Sequence, residues 1–183
     1  MRNASRRQTI LIALFLVIVF FFMTMFRMGV VRGASMEPTY FNGQVVLVRR
    51  MNWFSGRLHR GDVVLLRKDR DVIIKRIYRL PGEEIDASGP NGPNVALATF
   101  RHDLADYYEQ QVIDTPRGPQ TRLTVPEGFV VVIGDNLKVS EDSRVFGPLP
   151  LRDVLGVVPG APPAPYDNSG PTPGSSQSTA LAP

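Results

Sequence analysis

The chain of 183 residues has no cysteine and two histidines, at positions 59 and 102. A protein without cysteine has no thiol nucleophile, no disulfide and no Cys-ligated metal. Two histidines leave little for a multi-His metal centre, so neither a metal nor another cofactor is expected. Lysine is also scarce: of 21 Lys and Arg side chains, three are Lys. Long amphipathic helical periodicity is missing, as are the recognition motifs of nucleic-acid binders. The net charge of +4 is therefore not read as a nucleic-acid footprint.

What is present is unevenly spread. Residues 10–26 read ILIALFLVIVFFFMTMF, and Thr24 alone among them is not apolar. As a helix this run spans roughly 26 Å, close to the thickness of a hydrocarbon core. It is apolar on every face, which disfavours a surface helix of a soluble domain. A cleavable secretory signal would end in small residues. This run exits through RMGVVRGAS, with Arg32 two residues before Ala34, a poor cleavage site. The Arg6-Arg7 pair alone is weak support for a twin-arginine signal. An uncleaved anchor over residues 9–27 is the favoured reading. Arg2, Arg6 and Arg7 precede it and Arg27 and Arg32 follow. The positive-inside rule then puts residues 1–8 in the cytoplasm and the rest of the chain outside it. Residues 1–82 carry 15 Lys/Arg against 4 Asp/Glu, and residues 83–183 carry 6 against 13. A basic half beside an apolar span points to contact with a lipid bilayer.

Beyond residue 40 the pattern is strand-like. QVVLVR (44–49), DVVLLR (62–67), VIIKRIYRL (72–80) and FVVVI (129–133) are short β-branched runs bounded by Gly, Pro, Asn and Asp. Such spacing predicts a mainly β protein: a folded antiparallel, barrel-like sheet domain over residues 28–158 behind the single transmembrane helix. Residues 86–123 read as a surface excursion, with a short helix over His102–Gln111. Residues 159–183 are rich in Pro, Gly and Ser and nearly uncharged, and are expected to form a disordered tail.

Three segments carry candidate chemistry. Ser35, in GASMEPT (33–39), lies about nine residues beyond the apolar run, although a serine there also reads as an ordinary turn residue. Lys75 stands in a strand run between Ile73 and Ile77, which share its face by alternation. Burial disfavours the ammonium form, and a neutral amine can act as a base where an arginine cannot; a lysine at a strand edge that reaches water is the plainer alternative. Ser140, Asp142 and Arg144 alternate after a Gly-Asp-Asn turn, so a carboxylate and a guanidinium can pair there and a hydroxyl can orient an amine. A polar loop held by its own turns fits the same residues.

Taken together and in order, the apolar run, GASMEPT (33–39), HRGDVVLLR (59–67), VIIKRIYRLPGEEI (72–85) and VPEGFVVVIGDNLKVSEDSRVFGPLP (125–150) resemble the type I signal peptidases, which are membrane-anchored Ser/Lys proteases. The resemblance covers most of residues 9–158. It implies that Ser35 is the nucleophile and Lys75 the general base. It also implies that Ser140 orients the lysine amine, and that Asp142 and Arg144 form a supporting ion pair. The Ser35 backbone N–H would donate to the oxyanion. Some members carry a serine two residues before the nucleophile as a further donor, whereas here that position is Gly33. By position, Val31, Met36, Tyr40 and Ile74 are expected to line small apolar pockets for the substrate. The implied partners are preprotein signal peptides and the bilayer of the plasma membrane. Rival readings are a Ser/Lys peptidase of a specialised substrate, such as a conjugation or organelle-type maturase, and an inactive membrane-tethered β domain that binds extended peptides.

Overall fold

The apolar run forms one helix, α1 (Arg2–Met25). The computed structural model describes residues 2–51, 57–85, 109–115 and 118–166. Within α1, Arg6–Met25 has a mean hydropathy of 2.5, with none of that window buried against the rest of the protein, and is long and apolar enough to cross a membrane. The helix stops two residues short of the expected end of the span. Phe26 and Arg27 instead open strand β1 (Phe26–Val30), because their backbone groups pair with Arg49 and Val48 of β2 (Val45–Arg50). The Phe22 and Phe26 rings stack across this junction, 4.8 Å between centroids.

The predicted strands are all present as β2, β3 (Val63–Lys68), β4 (Asp71–Arg79) and β8 (Phe129–Ile133). Between them come β5 (Glu84–Ile85), β6 (Glu109–Thr115) and β7 (Gly118–Thr124). After β8 follow a one-turn helix α2 (Ser143–Phe146), β9 (Leu149–Pro150) and β10 (Val154–Val158). Every pairing is antiparallel. One sheet runs β1-β2-β10-β3-β4-β8-β9 and a smaller one runs β5-β7-β6. The last strand thus inserts between β2 and β3, where Gly156 meets Arg49 so closely that a Cβ would lie 2.5 Å from its carbonyl oxygen. Among the described residues, three apolar clusters hold the sheets. One lies under the Ser35 segment (Val31, Met36, Tyr40, Val48, Val63), one lies within the larger sheet (Val64, Leu66, Ile77, Val132), and one lies toward the smaller sheet (Tyr78, Ile85, Leu123, Ile133). β4 serves all three, and each of its residues from Lys75 to Arg79 is buried.

Two expectations need correction. Glu109, Gln110 and Gln111, expected at the end of a short helix, belong to β6, where pairing to Thr124, Leu123 and Arg122 of β7 satisfies their backbone; 102–108 lies outside the described residues. The expected disordered tail does not begin at 159. Ala161 packs on the cluster beneath Ser35, the Pro162 carbonyl accepts from Arg76 at 2.9 Å, and Tyr166 packs beside Tyr78 and Ile133. Composition alone hides this, because these few contacts depend on a buried arginine far away in sequence. Residues 167–183 lie outside the described residues.

Candidate active site

The Ser35 segment is a loop closed at its base. Val31 N–H donates to the Gln44 carbonyl at 2.9 Å, and Gly43 N–H donates to the Val31 carbonyl at 2.9 Å. Gly33 has φ +80, a conformation that favours glycine, and its N–H donates to Asn42 Oδ1 at 2.9 Å. A turn follows in which Tyr40 N–H bonds the Met36 carbonyl at 2.9 Å and the Glu37–Pro38 peptide is cis. Met36 and Tyr40 point into the core, leaving Ser35 at the rim.

Lys75 lies opposite Val64 of β3 in the pairing register. Its side chain is 5% exposed, and Nζ lies 2.8 Å from Ser35 Oγ, across 40 residues of sequence. Burial pushes the amine below its ordinary value of 10.5. The carboxylates of Asp142, Glu141 and Asp135 oppose that shift and Arg144 adds to it, but desolvation is the larger effect.

The Gly134–Phe146 segment folds back over the end of β8. Asp142 is fully buried and accepts from the Gly134 N–H at 3.0 Å, from the Arg144 N–H at 3.2 Å, and from Arg144 Nε and Nη2 at 2.8 and 2.9 Å. It therefore caps α2 and clamps the turn with one carboxylate. Ser143 Oγ accepts from the Val132 N–H at 2.9 Å. The Asn136 N–H donates to the Ser35 carbonyl at 3.0 Å, joining this segment to the serine loop. Gly134 sits at the join, where a Cβ would overlap the Ser140 hydroxyl and lie 2.5 Å from the Ser35 carbonyl oxygen. Ser140 is buried here, but its hydroxyl has no hydrogen-bond partner. The lysine contact expected of it is not made: Lys75 Nζ donates to Ser35 Oγ, and no hydrogen bond joins Nζ to Ser140.

A second ion pair was not legible in the sequence. Arg76, fully buried, donates from Nε and Nη2 to Asp135 at 2.8 and 2.6 Å, and from Nη1 to the Gly61 and Pro162 carbonyls at 2.8 and 2.9 Å. It fixes the Gly-Asp-Asn turn to the strand that carries Lys75. A buried arginine next to a candidate base was the available signal, but only folding shows what it pairs with.

Two cavities meet at Ser35 and Lys75. One, of about 670 Å³, runs along β1 and is lined by Val31 and Ile74 together with Met28, Val30, Val46 and Leu65. The other, of about 420 Å³, is bordered by Gly33, Lys68, Val139, Glu141 and Phe146. Met36 and Tyr40 line neither cavity, contrary to expectation, because their side chains are taken up by the core under the loop. Among the described residues, no group of His, Asp or Glu side chains is placed to hold a metal ion.

The family described as "Signal peptidase, peptidase S26" matches this sequence over residues 4–160. Signal peptidase I V of Bacillus subtilis is 34% identical over 142 residues, covering 70% of this chain and 80% of that protein. Signal peptidase IB of Staphylococcus aureus is 30% identical over 139 residues, covering 70% of this chain and 73% of that one. A crystal structure of a signal peptidase I from Enterococcus faecalis is 25% identical and covers 56% of this chain and 97% of that one, at a TM-score of 0.37.

Proposed function

Because this chain belongs to the S26 signal peptidase family, and so is a serine endopeptidase that removes signal peptides from preproteins, we propose that Ser35 and Lys75 form the catalytic dyad. The 2.8 Å contact between the buried Lys75 Nζ and Ser35 Oγ carries this reading. Desolvation lowers the amine's pKa and so favours its neutral form, whose lone pair takes the Ser35 proton as Oγ attacks the scissile carbonyl. The tetrahedral oxyanion collapses to an ester on Ser35. Lys75 passes the proton to the departing amine, which is the new N-terminus of the mature protein. Lys75 then takes a proton from water, which attacks the ester and frees the signal-peptide carboxylate. The Ser35 backbone N–H faces the oxyanion. Gly33 has no hydroxyl to add and its N–H is held by Asn42, so any second donor is a water or another N–H; such a donor is worth on the order of 3 kcal/mol. The unpartnered Ser140 hydroxyl is the group that steadies the lysine once it is protonated. Asp142 with Arg144 holds the turn that carries Ser140.

The apolar arm lined by Val31 and Ile74 takes the small side chains that precede the cut, in an extended strand. α1 crosses the plasma membrane once, with residues 1–8 in the cytoplasm and the catalytic domain outside. That topology tethers Ser35 close to the surface where a preprotein's apolar signal emerges, which raises the effective concentration of the two. The test is cleavage of a secretory preprotein by the full chain in detergent or lipid, with mass spectrometry of the new N-terminus. Ser35→Ala and Lys75→Ala should each abolish cleavage while the domain stays folded. Normal turnover by either variant refutes the dyad.

A further inference from the structure

The two arms of the groove differ in charge. The arm along β1 is walled mainly by apolar side chains, whereas the other brings together Arg32, Lys68, Asp71 and Glu141. Arg32 and Asp71, of opposite charge, border both arms and so add no net charge to either. Lys68 Nζ bonds Asp69 at 3.2 Å and lies 5.2 Å from the centre of the Phe146 ring, so its charge is already answered. Glu141 borders the second arm alone, is exposed, and makes no ion pair with any described residue. Its backbone is nonetheless fixed. Ser140 and Asp142 on either side are buried, and Asp142 is gripped by both Nε and Nη2 of Arg144. The second arm therefore carries one unanswered negative charge, held close enough to the reacting pair to act on Lys75.

On the reading of the preceding subsection, the signal peptide arrives from the bilayer and takes the apolar arm beside α1. The first residues of the mature chain then leave through the other arm. We infer that Glu141 is a specificity-determining residue, favouring preproteins with Lys or Arg among the first three residues after the cut over those with Asp or Glu there. Exchanging Lys for Glu in the substrate trades attraction for repulsion. For part-solvated charges, such an exchange changes kcat/KM by roughly tenfold at low salt. The new α-amine is common to all substrates and drops out of the comparison.

The experiment uses the full chain in zwitterionic phospholipid vesicles and one preprotein carrying Lys, Gln or Glu at each of the first three positions after the cut. The readout is the Lys-to-Glu ratio of kcat/KM within each enzyme, which cancels any loss of folded protein. The native enzyme should give a ratio of roughly ten at one or more positions, shrinking as salt rises. Glu141→Gln should bring the ratio near one, and Glu141→Lys should invert it. A native ratio near one at all three positions, or a ratio unchanged in both variants, overturns the inference. If the Gln substrate is cut by the native chain and not by Ser35→Ala, such a failure belongs to Glu141 alone. If Ser35→Ala cuts as fast as the native chain, the dyad falls and this inference with it.

Discussion

Replacing Gly134 by alanine adds one methyl group at the point where the segments carrying Ser35 and Ser140 meet. The Cβ would lie 2.5 Å from the Ser35 carbonyl oxygen and overlap the Ser140 hydroxyl, about 0.9 Å short of the 3.4 Å at which ordinary contact begins. Relief requires one of the two segments to move by nearly an ångström. Gly134 cannot retreat freely, because its N–H is held by the buried Asp142 carboxylate and the neighbouring Asp135 by Arg76. The Ser35 backbone is the freer partner, and moving it stretches the 2.8 Å contact to Lys75. A misplacement of about 1 Å costs roughly 100-fold in rate when geometry carries the catalysis. The assay is kcat for preprotein cleavage by Gly134→Ala, with near-ultraviolet circular dichroism to establish folding. Gly156→Ala is the comparison: its Cβ would lie equally close to the Arg49 carbonyl oxygen, but at the β10–β2 pairing, away from the dyad. It should lower stability by about 1–3 kcal/mol, the usual cost of overpacking, and leave kcat per folded molecule within a few-fold. If folded Gly134→Ala keeps near-native kcat, the argument that this close approach sets the nucleophile's position is wrong.

Burial lowers the Lys75 pKa, so the unfolded chain binds the additional proton. The stability linked to this group is complete above 10.5, its ordinary value, and is lost as pH falls through the folded value. Lys75→Met should therefore gain stability relative to the native chain as pH falls, while cleavage drops by roughly 10⁴-fold or more; urea unfolding across pH checks the first and preprotein turnover the second. In the native enzyme, kcat/KM should rise with pH through a limb below 10.5. Deleting residues 160–183 removes the carbonyl that accepts from Arg76 and the packing of Ala161 and Tyr166. Arg76 keeps Asp135 and the Gly61 carbonyl but loses one N–H partner, a cost of about 1–3 kcal/mol, so the unfolding midpoint should fall. Tyr166→Phe should behave oppositely. Its buried hydroxyl has no partner, and burial pushes the phenol above its ordinary value, so losing the oxygen should be neutral or stabilise by about 1 kcal/mol.

The helix long and apolar enough to cross a membrane, the run of β-strands and the candidate residues Ser35 and Lys75 could be picked out from residue order, while the roles of the last two came from the family resemblance. Each depends on information that is local: an unbroken apolar stretch of the right length, two-residue alternation between turn signals, and a lysine that alternation puts on the same face as two isoleucines. The Asp142–Arg144 clamp was legible for the same reason, since residues two apart in an extended or turning chain meet without help from the rest of the fold. Other features depended on pairings between distant segments, which residue order does not encode locally. Met36 and Tyr40 look like pocket residues in sequence, but the loop needs apolar anchors of its own and buries them. Arg76 finds Asp135 59 residues away and a carbonyl 86 residues away, which turns a proline-rich stretch into part of the scaffold. Glu141 reads as one more exposed acid until the sheet, the β3–β4 turn and the folded-back segment show which neighbouring charges are already answered. Periodicity and composition report which surface a residue prefers. What that surface rests against is a matter of long-range closure, and in this protein closure is what brings a hydroxyl to an amine.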